Sequence, residues 1–134
     1  MGVQNKMKPL LISQVLGRPA TTARCFDALM DHTDREEFEW VIVDQDSSQK
    51  VKDVIEYCGY EPDHIIRREF NSGILFGINQ AIAMYRKPGQ SIIKLDDDVL
   101  ILNSDWLYLF QIVLQSPKIG SCLGRRPTFF IDEP

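Results

Sequence analysis

The sequence predicts an α/β fold, with a mostly parallel sheet covered by helices on both faces. Short apolar or β-branched runs alternate strictly with stretches whose apolar residues recur at helical spacing. Turn-forming residues close the segments, as at Asn71-Ser72-Gly73 and Lys87-Pro88-Gly89. Strand and helix in this order imply right-handed crossovers between parallel strands, and hence helices on both faces. The 134 residues hold no internal repeat, low-complexity tract or linker, and they fit a single domain, 1–134.

The elements follow in chain order. Lys8 to Gln14 contains the apolar run Leu10 to Ile12, suited to a buried strand. Thr21 or Thr22 then caps a helix carrying Ala23, Phe26, Leu29 and Met30 on one side. Glu39 to Asp44 is the clearest strand, β-branched and ending abruptly in polar residues. Ser47 or Ser48 caps the next helix, whose stripe is Val51, Val54, Ile55 and Cys58. His64 to Glu69 reads as a third strand. A long helix from Ile74 presents Ile74, Ile78, Ala81, Ile82 and Tyr85 together. Ser91 to Asp96 is the fourth strand. Asn103 or Ser104 caps a helix with Trp106, Leu107, Phe110, Val113 and Leu114 at core spacing. Ile119 to Leu123 is read as a fifth strand.

Composition narrows the functional classes. An apolar fraction of 44% and a charged fraction of 25% are ordinary for a globular domain with a real core. A net charge of −4 disfavours general nucleic-acid binding, which draws most of its affinity from neutralised phosphates. The pairs Arg67-Arg68 and Arg125-Arg126 are too small to reverse that. Cys25, Cys58 and Cys122 are sparse and odd in number, which suits reduced thiols in the cytoplasm. His32 and His64 lack metal-ligand spacing. No stretch approaches the roughly 20 apolar residues of a transmembrane helix. Lys6 and Lys8 precede Leu10-Leu11-Ile12, but Ser13 and Gln14 end that run too soon for a signal peptide. Lys6 stands where a myristoylation motif at Gly2 needs Ser or Thr.

In open parallel sheets, ligands bind beyond the carboxyl ends of the strands, where strand order reverses. That rule selects Gln14 to Gly17, Asp44 to Ser48, Phe70 to Gly73, and Asp96 to Val99. Asp96-Asp97-Asp98 directly follows a strand, and extended-chain alternation puts Asp96 and Asp98 on one side and Asp97 on the other. Two like charges on one side repel, and a hard cation relieves them. Mg²⁺ or Mn²⁺ suits such a place, because each takes one or two carboxylates plus substrate phosphates and water. The triplet fits an acidic surface loop equally well. Asp44 is placed to accept hydrogen bonds from a nucleobase or ribose, or else to start a turn into the next helix. Gly73 lets backbone approach an anion at a helix N-terminus, while Asn71 also suits a plain helix cap. Arg18 lies near the same cleft, either meeting a phosphate or simply solvated.

Taken in order, these segments resemble family 2 glycosyltransferases of the GT-A fold. The matching pieces are Gly17-Arg18-Pro19, Val41-Ile42-Val43-Asp44-Gln45-Asp46-Ser47-Ser48, Asn71-Ser72-Gly73 with Asn79, Leu95-Asp96-Asp97-Asp98-Val99, Asp105-Trp106-Leu107 and Pro117-Lys118-Ile119-Gly120. The resemblance spans roughly residues 9 to 126. It implies a Rossmann-like three-layer α/β/α sandwich of the nucleotide-diphospho-sugar transferase type, a UDP- or GDP-linked sugar donor, and Mn²⁺ or Mg²⁺. By the same resemblance Val15, Asp44, Asn71, Gly73, Asp96 and Asp97 line the donor. Asp44 contacts base or ribose, Asp96 lies near ribose or sugar, and Asp98, with Asp96, reaches the metal in a DXD motif. The metal stabilises the departing diphosphate.

Three departures from the family pattern stand out. Gln14-Val15-Leu16-Gly17 replaces a Pro-Thr-Tyr-Asn ending, so a hydroxyl contact to the nucleotide is missing. Ile78 stands where a basic residue often precedes the asparagine matched by Asn79. The chain stops at Pro134, where family members continue into an acceptor-binding half that carries the catalytic base. That half is expected from further sequence or a partner chain, and the alternative is an inert nucleotide-sugar-binding module, with Phe129-Phe130-Ile131 covering exposed surface. Toprim-type, nucleotidyltransferase and receiver domains fit less well, because each wants its acidic or glycine-rich motif near the first strand.

Overall fold

The computed structural model describes residues 7–45, 49–57 and 59–124. Four strands, β1 (Leu10–Val15), β2 (Glu39–Asp44), β3 (His64–Arg67) and β4 (Ile92–Asp96), form one sheet in the order β3-β2-β1-β4. Every pairing is parallel. Helices α1 (Pro19–His32), α2 (Gln49–Tyr57) and α3 (Ile74–Tyr85) make the crossovers. The order runs outward from β1 to β3 and then returns to the other side of β1, so the reversal lies between β1 and β4.

The sheet is buried on both sides of its centre. On one face Leu10, Ile12, Val41, Val43, Ile66 and Ala81 form a cluster against which Ile78, Ile82 and Tyr85 of α3 pack. On the other, Phe26 of α1 meets the Trp40 ring edge-on with centroids 4.9 Å apart, and Tyr60 closes the group at 5.3 Å from Phe26. Trp40 is fully buried, and its Nε1 donates to Ser13 Oγ at 3.1 Å. A satisfied indole N–H is what allows so large a ring into the core.

Several boundaries differ from the sequence reading. Helix α1 begins at Pro19, not after Thr21 or Thr22, because proline's fixed φ suits the first helical turn. Thr22 is then free to join the buried stripe with Cys25, Phe26 and Leu29. Strand β3 ends at Arg67, two residues short of Glu69. The fourth helix, α4 (Trp106–Leu114), begins after Asp105, so neither Asn103 nor Ser104 is its cap. Ser104 instead meets His32 Nδ1 at 3.0 Å. Residues Ile119–Leu123 form no strand. Ile74 is 57% exposed, although Ile78, Ala81 and Ile82 of the same predicted stripe face the sheet. The Ser47/Ser48 cap, Asp46, Cys58 and the Phe129–Ile131 segment lie outside the described residues.

The chain divides into two compact units, residues 1–104 and 105–134. In the second, α4 buries Leu107 and sets Trp106 edge-on to Phe110 at 5.8 Å. Among the described residues no helix is long and apolar enough to cross a membrane.

Candidate functional site

The carboxyl edge of the sheet gathers most of the residues singled out by sequence. Pairing sets Val15 beside Asp44 and Gln14 beside both Val43 and Asp96. Asp44 and Asp96 therefore flank β1 on either side, on the order of 10 Å apart at the usual strand spacing. They do not share a sheet face. Asp44 continues the side of Trp40 and Ile42 and is fully buried, whereas Asp96 continues the side of Gln14 and Lys94.

Strand β4 ends at Asp96, and the chain turns there, with Val99 N–H donating to Asp96 O at 3.3 Å. Strand alternation thus does not extend through the acidic triplet, and the turn sorts its three side chains. Asp97 is 3% exposed. Its carboxylate accepts from Leu16 N–H at 3.3 Å, Arg18 Nη2 at 2.5 Å and Thr22 Oγ1 at 3.4 Å. A buried anion with three donors, one of them charged, is an internal anchor joining the β4 turn to the β1–α1 connection. Asp96 and Asp98 have half-exposed side chains. Asp96 pairs with Lys94 Nζ at 2.6 Å, and Asp98 lies 3.8 Å from Arg18 Nη1. Arg18 thus spans two carboxylates of the triplet.

Cys25 lies behind this turn, its Sγ donating to the Asp96 carbonyl at 3.3 Å. Burial above all, with Asp97, Asp98 and Asp96 nearby, pushes the thiol up to about 12 against a Val99 backbone bond that lowers it. It is no nucleophile near neutral pH. Cys25 and Cys122 are free thiols.

The Asn71–Gly73 loop forms another wall. Asn71 Oδ1 accepts Gly73 N–H at 2.9 Å, and Gly73 adopts φ 88° just before α3. Asn71 is thus a turn residue, and Gly73 occupies the N-cap position. Sequence reasoning missed the side chains that hold this loop. Gln45 is 2% exposed and bonds Gly73 and Ser72, and Gln14 bonds the carbonyl of Ile74. One signal was available: Gly77 interrupts an otherwise good helical run, which marks a close approach.

The donor set suits a hard cation that keeps phosphate and water among its ligands. Asp96 and Asp98, two residues apart in sequence, each offer half-exposed carboxylate oxygens. It does not suit an all-protein cage, because no group of three or more His, Cys, Asp or Glu side chains is assembled among the described residues.

The family model described as Glycosyl transferase family 2 matches residues 12–133, nearly the whole chain. The chain belongs to that family. No curated protein matches this family 2 chain. Among solved structures it resembles a mannosyltransferase, PcManGT, from Pyrobaculum calidifontis in complex with GDP-Man and Mn²⁺. The TM-score is 0.72 at 19% identity, covering 90% of this chain and 37% of that one. It also resembles residues 1–349 of S. aureus TarS, with a TM-score of 0.64 at 20% identity, over 81% of this chain and 32% of that one. Such likeness shows a GT-A, Rossmann-like fold, and the family 2 chain spans about a third of each neighbour's length.

Proposed function

We propose that residues 1–134 form the donor-binding domain of a glycosyltransferase, taking a UDP- or GDP-linked sugar for transfer to an acceptor hydroxyl. The observation that carries this reading is the convergence of Val15, Asp96, Asp98 and the Asn71–Gly73 loop on the carboxyl edge near the strand reversal, in a chain matched by this family. Asp44 is proposed as the base or ribose contact, with Asn71 and Gly73 toward the diphosphate. Asp96 is assigned to ribose or sugar. Asp97, already committed to three internal donors, acts by fixing the turn that presents its two neighbours. Asp98, with Asp96, would hold Mn²⁺ or Mg²⁺, which supplies positive charge to a departing diphosphate. The acceptor half is assigned to sequence or a partner chain outside this segment, and the buried, unbridged Cys25 is consistent with a reducing cytoplasm.

Thermal unfolding with UDP and GDP, each with Mn²⁺ or with chelator, tests this. Ligand that binds only the folded state raises stability by about 2.7 kcal/mol at a hundredfold excess over Kd. A metal-dependent rise with one nucleotide is expected. No shift with either at millimolar concentration contradicts the proposal. Labelled sugar nucleotide then separates transfer or hydrolysis from binding alone.

A further inference from the structure

Two glutamines stand together on the α3 side of the sheet, Gln14 in β1 and Gln45 just beyond β2. Gln14 Nε2 donates to the Ile74 carbonyl at 2.5 Å, and Gln45 Nε2 donates to the Gly73 carbonyl at 3.0 Å. Gln45 Oε1 accepts from both the backbone N–H and the hydroxyl of Ser72, each at 3.3 Å. The Gln45 amide is therefore used at both ends while 2% exposed, and it has little freedom to do anything else.

What the amides hold needs holding. Gly73 sits at φ 88° and ψ 160°, a region essentially closed to other residues, and such conformations persist when their surroundings over-determine them. The first helical bond beyond it, Gly77 N–H to Gly73 O, is stretched to 3.5 Å. Gly77 makes room for the arrangement. A Cβ there would meet Gln45 Nε2 at 2.6 Å, Gln14 Nε2 at 2.9 Å and Val43 Cγ1 at 3.0 Å. Glycine inside a helix forgoes about 1 kcal/mol relative to alanine, and here the vacancy admits both amides.

We infer that Gln14 and Gln45 are positioning residues: a two-amide latch that sets the Asn71–Gly73 loop in the shape that meets the donor diphosphate. The inference rests on the donor-binding reading above. The latch acts through the backbone of Ser72, Gly73 and Ile74, without touching nucleotide. An amide is required at Gln45 because the site needs a donor toward Gly73 and an acceptor toward Ser72. Glutamate keeps only the acceptor and sets a negative charge against the Gly73 carbonyl.

The test combines hydrogen exchange with nucleotide affinity in wild type, Gln45→Ala, Gln45→Glu and Gly77→Ala, using whichever of UDP or GDP binds wild type with Mn²⁺. Gln45→Ala is expected to speed exchange at Ser72 N–H at least tenfold without nucleotide, and to weaken affinity about tenfold, or 1.4 kcal/mol. Gln45→Glu is expected to weaken affinity while Ser72 N–H stays protected, a split that general loosening of the fold does not produce. Gly77→Ala displaces both amides without deleting a polar group and serves if Gln45→Ala does not fold. It is expected to reproduce both effects. Unchanged Ser72 exchange in Gln45→Ala, or in Gly77→Ala in its place, overturns the latch. Faster exchange with unchanged affinity overturns the positioning role. Absence of nucleotide binding by wild type defeats the donor reading and this role with it, while exchange still decides whether the latch exists.

Discussion

At the amino end of the sheet, Glu39 takes bonds from Gln90 at 3.0 Å, His64 at 3.3 Å and Lys87 at 3.4 Å. Close by, Arg35 binds Asp63 at 2.7 Å, and His64 stacks on Tyr85 with centroids 3.8 Å apart. A cavity of about 650 Å³ opens there, lined by these charged groups, yet each has a partner from the protein itself. At the carboxyl end, roughly 20 Å away along six-residue strands, the carboxylates are treated unequally. One carboxylate, Asp97, is saturated and buried, while Asp96 and Asp98 beside it stay half-exposed. The amino-end hollow is closed on its own ion pairs, whereas the edge that the strand reversal selects keeps two carboxylates half-exposed, each beside a single cation, Lys94 for Asp96 and Arg18 for Asp98.

The largest expected effect comes from breaking the anchor on which the carboxyl edge depends. Asp97→Ala strands the Leu16 N–H and Thr22 hydroxyl and leaves Arg18 one partner fewer. Unfolding in urea is expected to show a loss of about 3 kcal/mol, limited by the half-exposure of Arg18. A loss below about 1 kcal/mol would make Asp97 a surface residue like its neighbours.

A smaller effect, with a definite pH signature, belongs to the amino end. Burial raises the Glu39 carboxyl, but the Gln90 amide, the Lys87 charge and the His64 bond outweigh it and hold it below its usual 4.5. A depressed carboxyl stabilises fully above that unfolded value, and the contribution is lost as pH falls through the folded one. Glu39→Gln is therefore expected to cost roughly 1 kcal/mol at neutral pH, with the gap to wild type closing as the solution is acidified below 4.5. A gap that widens on acidification contradicts the network. Least of all should change in Lys8→Ala, whose 3.4 Å pair with Glu36 is exposed on both sides. Its unfolding midpoint should match wild type within about 0.3 kcal/mol.

The same contrast explains what was legible in the sequence. Strand β2 was read to the residue because Trp40-Val41-Ile42-Val43 is β-branched and broken sharply by Asp44-Gln45. The parallel layout followed from alternation alone. Helix α3 begins at Ile74 as its pattern predicts, whereas the starts of α1 and α4 differ because several polar residues compete for each cap, and Pro19 prevails at α1 through its fixed φ. Ile119–Leu123 has strand-like composition, but pairing depends on a neighbour that no local pattern names. In the site, alternation was carried through Asp96-Asp97-Asp98 although the strand ends at the first of them, so the buried anchoring of Asp97 was missed. Of the latch, only Gly77 leaves a mark in the sequence, as a glycine inside a helical run, because Gln14, Gln45 and Gly77 meet only once the sheet register is known.

The central claim, that the half-exposed carboxyl edge and not the amino-end cavity takes the metal and nucleotide, is tested directly by paramagnetic broadening. Amide signals of the labelled protein are recorded with GDP or UDP while Mn²⁺ is added in substoichiometric steps. Selective loss at Leu16, Gly73 and Asp96–Val99, with Glu39, His64 and Lys87 intact, is the predicted result. Broadening first at Glu39, His64 and Lys87 would contradict it.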